Sequence, residues 1–249
     1  MRIRLVGVLA VVVLPLAWRV PAVWASAEVH RLNVVLSGVP TQVRADDFNG
    51  LIEDINRREL IPRGLEPLGK IKLSWLFDGE VRYFARQNLA VTVGVGRLST
   101  TKSQEYLPAI SLSIVLSAKV TSVPIHAGAA YYFKPYNQGD FQARAFVGGG
   151  FVSLVHNQAT LSAGGSGIPP AQAFEITGTN DGPGYYAEGG AHLFFATRFS
   201  VVLSGMYRSC VVRNLVIQGL GVPLLGSNGK PISLDVGGAG VRMGLSIGL

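Results

Sequence analysis

The chain has 249 residues, 48% of them apolar and only 15% charged, with 31 glycines and a mean hydropathy of +0.34. That is too apolar for an ordinary soluble domain, yet beyond the N-terminus no apolar run reaches the roughly 18–20 residues that a spanning helix needs. The formal charge of +7 is diffuse and carries no basic stripe with interleaved aromatics, which argues against nucleic acid as a partner, and the lone Cys210 excludes an intrachain disulfide.

Residues 1–27 read as a secretory signal peptide. Arg2 and Arg4 form the basic start, Leu5 to Leu16 the apolar stretch, and Ala25-Ser26-Ala27 the cleavage site. Removing Arg2, Arg4 and Arg19 with the signal takes the formal charge from +7 to +4. The mature domain, 28–249, is then a single unit without an internal repeat.

One helix is predicted. Between Asp46 and Leu60, Phe48, Leu51, Ile52 and Ile55 follow a helical period, with Asp46 or Asp47 as the cap and Pro62 and Gly64 as the stop. Its apolar face is expected to pack on the rim of the remaining structure.

The rest reads as eight strands, at about 30–40, 69–84, 88–103, 110–134, 140–157, 183–196, 198–213 and 232–249. Short turns at 86–88, 135–139 and 197 alternate with longer connections at 41–68, 104–109, 158–182 and 214–231. Outer-membrane barrels alternate tight periplasmic turns with longer external loops in this way.

Successive strand residues point to opposite faces, so each strand splits into two sets. On the second strand Ile71, Leu73, Trp75, Phe77, Gly79, Val81 and Tyr83 oppose Lys70, Lys72, Ser74, Leu76, Asp78, Glu80 and Arg82. The last strand opposes Val241, Met243, Leu245, Ile247 and Leu249 to Gly240, Arg242, Gly244, Ser246 and Gly248.

Aromatic residues on the apolar faces fall in two groups. Tyr83, Tyr131, Phe133, Phe141, Phe195 and Phe199 lie beside the short turns, and Trp75, Phe151, Tyr185 and Tyr207 lie eight to ten residues away. With a strand tilt near 40°, that separation spans roughly 20–25 Å along the membrane normal, the height of a lipid-facing band edged by aromatic girdles.

The opposite faces hold Asp78, Glu80, Arg82, Arg144, Glu188 and Arg242, three acids and three bases. An eight-stranded barrel is just wide enough for side chains to fill it, so these six are expected to form one ion network in the lumen, with glycines leaving room for the arginines. His126 and His192 also face inward. Direct contact between Glu188 and His192 is not expected, because two inward positions on one strand are about 13 Å apart. His30 and His156 read as strand-end or loop residues.

No catalytic, metal or cofactor motif is found. Gly148-Gly149-Gly150 has no strand–loop–helix context for a phosphate loop and reads as close strand approach instead. There is no G-x-S-x-G, H-E-x-x-H or paired C-x-x-C.

On this pattern the chain resembles the small outer-membrane barrels, the eight-stranded group that includes the OmpA-, OmpX- and OmpW-like proteins. The closing run Val241 to Leu249 looks like the alternating C-terminal signal read by the barrel-assembly machinery, with Leu249 standing where a terminal aromatic is usual. The resemblance implies an all-β, closed antiparallel eight-stranded transmembrane barrel, exported to the bacterial outer membrane and surrounded by lipid and lipopolysaccharide. It implies a passive binding or transport barrel for small or apolar solutes, and the lack of a Ser/His/acid signature makes a non-enzymatic role the expectation. The alternative is a structural or surface-interaction, adhesin-like barrel with a sealed lumen; a soluble periplasmic ligand-binding barrel is a third reading.

Overall fold

A computed structural model describes residues 30–109, 112–139, 141–166, 173–195, 198–226 and 228–249. The expected signal peptide lies outside them. The barrel strands are β1 (Leu32–Gln42), β2 (Leu73–Arg86), β3 (Leu89–Ala109), β4 (Leu112–Tyr132), β5 (Phe141–Gly164), β6 (Phe174–Phe194), β7 (Phe199–Val212) and β8 (Gly238–Gly248). Each pairs antiparallel with the next, and β8 pairs back onto β1, Val34 opposite Ile247, so the ring is closed. Closure leaves these strands no free edge, as a sheet in lipid requires.

Strand parity holds around the ring. Trp75, Tyr83, Tyr131, Phe133, Phe151, Tyr185, Phe195, Phe199 and Tyr207 are exposed on the outside, with Phe141 half-buried against Phe195 at 5.4 Å between ring centroids. Between the two groups the outside carries Phe77, Val81, Val93, Val95, Val147, Leu203, Met243 and Leu245. In water such a belt would be an uncovered apolar patch; against lipid it is the expected covering.

Two hairpins are longer than the sequence pattern indicates. The expected connection 104–109 is strand, its ladder running from Ser99↔Thr121 to Tyr106↔Ile114. Much of the expected loop 158–182 is strand as well, from Asn157↔Asn180 to Ala163↔Phe174. On β3 the outward residues Thr101, Ser103 and Glu105 are polar, so this extension stands beyond the lipid band, although Leu107 near its tip is exposed as well. Between band and extension the β5–β6 ladder shifts register at a bulge in β5. His156 there adopts φ 51°, and the buried Asn157 amide donates to Leu154 O at 3.0 Å and Asn180 O at 2.8 Å.

The long-loop end is closed by a helical segment. α1 spans Asp46–Ile55, continues through one wide turn at Asn56–Leu60, and ends in a tight turn, Ile61–Arg63, at Gly64 with φ 69°. Neither aspartate caps it: Ala45 occupies the cap position without a side-chain bond. Asp46 and Asp47 sit in the first turn, where their charge suits the helix dipole, and the Asp47 carboxylate accepts from Ser233 N at 3.0 Å. Phe48 and Ile52 are fully buried and belong to one core with Leu98, Tyr106, Leu116, Leu154, Leu161, Leu215, Ile232 and Leu234.

Two asparagines seven residues apart fasten the returning chain. Asn49 exchanges two 2.8 Å hydrogen bonds with the backbone of Ile71, and Asn56 does the same with Leu68 at 2.9 and 2.8 Å. Among the described residues no helix is long and apolar enough to cross a membrane.

Gly128 and Gly150 face each other across β4 and β5. A Cβ on Gly150 would run into the Ala127 carbonyl, and one on Gly128 into the Gly149 carbonyl. Here the glycine run serves close strand approach, as its sequence context suggests.

Candidate functional site

β2 presents Asp78, Glu80 and Arg82 inward at every second position. β8 brings Arg242 to the same level, β6 brings Glu188, and β4 brings His126 and Tyr132. Arg242 joins all three acids: its guanidinium donates to Asp78 at 2.6 Å, Glu80 at 3.2 Å and Glu188 at 3.2 Å. Arg82 donates to Glu80 at 2.5 Å and Tyr132 Oη at 2.8 Å, lies 3.5 Å from Glu188, and stacks over Phe146 at 4.8 Å.

None of these charges has appreciable contact with solvent. Burying one ion alone costs several kcal/mol, and only good geometry with further hydrogen bonds offsets that. The further bonds are present: Ser204 donates to Glu188 at 2.6 Å, and Tyr132 Oη meets His192 Nδ1 at 3.2 Å. His192 Nε2 lies 2.7 Å from Ser200 Oγ. A polar chain thus runs from Arg82 through Tyr132 and His192 to Ser200.

Arg144 does not join. The structure holds it near the short-turn mouth, where its guanidinium donates to the Gln87 carbonyl and lies 5.9 and 5.2 Å from the ring centres of Phe84 and Tyr132. Arg208, which the sequence pattern did not single out, lies nearer the network: it is buried, donates to Thr41 at 3.2 Å, and shares a small cavity wall with Asp78 and Arg242 without pairing with an acid among the described residues. The room left by inward glycines also goes elsewhere. A Cβ on Gly94 would strike the His126 ring, and one on Gly128 would crowd Tyr186 Oη at 2.5 Å.

His126 joins the cluster, Nε2 at 3.0 Å from Asp78 and Nδ1 at 3.7 Å from Glu80. Ligand atoms of Asp78, Glu80 and His126 lie within 4.8 Å of one another, close enough to share a cation. Arg242 already donates to both carboxylates, so the cluster has its cation built in.

The lumen is filled in three levels. The apolar cap core lies at the long-loop end, the ion network in the middle, and Val35, Phe84, Ala90, Ala130, Tyr132, Phe146 and Val202 toward the short turns. The cavity beside the network, between Leu76, Asp78, His126, Tyr186 and Arg242, has about 10 Å³. That is room for about one water molecule.

A closed eight-stranded ring with an apolar belt outside and paired ions inside is a transmembrane β-barrel of the outer-membrane class. No protein-family model matches the sequence, and no curated protein is similar to it at a significant level. Among solved structures, the chain is similar to the N-terminal β-barrel domain of Pseudomonas aeruginosa OprF, with 11% identity and a TM-score of 0.37, over 86% of this chain and 96% of that one. It is also similar to Ail, the attachment invasion locus protein of Yersinia pestis, with 10% identity and a TM-score of 0.39, over 88% and 99%. The outer-membrane protease OmpT of Escherichia coli matches with 9% identity and a TM-score of 0.33, over 88% and 96%.

Proposed function

We propose that the protein is a sealed outer-membrane barrel that displays its long hairpins and capped end as an interaction surface, the adhesin-like alternative rather than a solute path. The supporting observation is the three-level filling of the lumen: an apolar core, a neutralised ion layer and an aromatic layer lie in series. A passive path needs continuous space, and opening this one means breaking buried ion pairs or lifting the asparagine-fastened helix. The β3–β4 and β5–β6 ladders continue past Trp75 and Phe151, giving stiff supports rather than slack loops.

The same proposal includes export through the signal peptide 1–27 and insertion guided by the assembly machinery through Val241 to Leu249. It includes lipid and lipopolysaccharide around the aromatic girdles, and a non-enzymatic role.

The test is single-channel recording on the refolded barrel in planar bilayers, with uptake of small and apolar solutes into proteoliposomes alongside. Silence in both assays is expected. Steady conductance or facilitated uptake would restore the transport reading.

A further inference from the structure

The short-turn mouth opens into a pocket of about 610 Å³, lined by Arg31, Phe84, Arg86, Gln87, Gln142 and Arg144 among others. This is within the range of small-molecule sites. Phe84 of the aromatic layer lines it, and no residue of the ion network does. Three of its lining residues are arginines, and none of the described lining residues is acidic.

Arg144 is the unusual member. Its residue is 5% exposed, and its one hydrogen bond is to the neutral Gln87 carbonyl. Its other contacts are the faces of Phe84 and Tyr132, and Nε has no partner. Gln142 Oε1, in the same wall, is also buried without a partner. A buried charge is normally paired or coordinated. In the network above it Arg82 and Arg242 each pair with acids, while Arg144 has no acidic partner among the described residues.

We propose that this mouth is an oxyanion site for a phosphate monoester group, with Arg144 as the anchor and the exposed Arg31 and Arg86 closing over it. Three guanidiniums match a group carrying about −1.5 to −2 charges better than a single carboxylate. The pocket volume leaves space for a small organic body behind the phosphate. A soluble phosphate monoester and the headgroup of an inner-leaflet phosphatidic acid share this chemistry. The short-turn end is the periplasmic side of outer-membrane barrels, so both sources can reach it.

The experiment uses the full barrel in a phosphate-free maltoside detergent, titrated calorimetrically with glycerol 1-phosphate. A second arm compares thermal unfolding in nanodiscs of an uncharged galactolipid with and without added phosphatidic acid, whose headgroup is a phosphate monoester. One-to-one binding of glycerol 1-phosphate, weakened at least about tenfold by Arg144→Gln, assigns a soluble ligand. Stabilisation by phosphatidic acid that vanishes in Arg144→Gln, without binding of the free ester, assigns the headgroup. Absence of both effects, or equal effects in the wild type and Arg144→Gln, overturns the site. Should Arg144→Gln fail to fold, Arg31→Gln with Arg86→Gln replaces it, both being exposed. Unchanged affinity in that double variant is equally fatal.

Discussion

Arg242 Nη2 and Asp78 Oδ2 meet at 2.6 Å although 164 residues separate them, because β8 and β2 flank β1 in the closed ring. The pair forms only after the barrel has closed. Arg242→Met should therefore leave Asp78, Glu80 and Glu188 crowded and short of positive charge. The expected loss is about 3–5 kcal/mol, the usual result of removing one partner from a buried pair. Urea unfolding in lipid vesicles measures it. Arg57→Ala, which breaks an exposed 2.6 Å pair with Asp54, serves as the control and should cost below about 1 kcal/mol. Equal effects from the two would mean the lumen network contributes no more than a surface pair.

The capping segment depends on Asn56 as much as on its apolar face. Its amide satisfies both backbone groups of Leu68, which is itself buried. Asn56→Ala leaves an N–H and a carbonyl unmet, at about 1–3 kcal/mol for an unsatisfied buried group. Limited proteolysis should then cut within 61–72 at least several-fold faster. The heat-modifiable electrophoretic mobility of the barrel should stay as it is, because the barrel ladders are untouched. Unchanged cutting would show that Phe48 and Ile52 hold the segment unaided.

The lipid band has a lower and an upper limit that arginine scanning can locate. Val93 is outward between Val81 and Ala127, in the middle of the band, while Thr101 is outward opposite Lys119 beyond it. Val93→Arg is expected to destabilise by about 2–4 kcal/mol in a bilayer, and Thr101→Arg by about 0–1. Folding equilibria in vesicles provide the numbers. A large penalty at Thr101 would move the boundary outward and place the β3–β4 extension in lipid.

What could be read from the sequence was the face of each residue, and what could not was its level along the barrel axis. Parity places Arg144 and Glu188 both inward. Register, which comes from pairings with residues distant in the chain, puts Arg144 opposite His192 and Glu188 opposite Gly148, four residues apart. At about 3.3 Å per residue that is roughly 13 Å, too far for an ion pair. The same argument explains His126: its inward face was evident, its meeting with Asp78 was not. The hairpin extensions escaped for a different reason. From Ser99 to Glu105 both faces are polar and wetted, so no apolar period marks a strand, and only the ladder to β4 makes it one. The helix was legible because its signal is local. Its aspartates were misplaced because a cap depends on one backbone torsion, which composition does not set.

Outside the membrane, one carboxylate has a shifted titration that can be followed directly. Glu53 on α1 accepts from Lys70 Nζ at 2.7 Å, tying the helix to the chain that leads into β2. The hydrogen bond and charge of Lys70 hold the Glu53 carboxyl below its ordinary value of 4.5. A depressed folded-state value means the pair's contribution is fully present above the unfolded value and fades as pH falls through the folded one. Between pH 5 and 8 the segment should therefore show constant protease resistance, with any loosening due to this pair confined to pH below about 4.5. Both side chains are solvent-accessible, so the effect on global stability should be slight. Carboxyl carbon shifts of Glu53 followed by NMR give the midpoint. Lys70→Ala should return it to the ordinary glutamate range, and a midpoint that stays low without Lys70 would assign the shift to Arg57 instead.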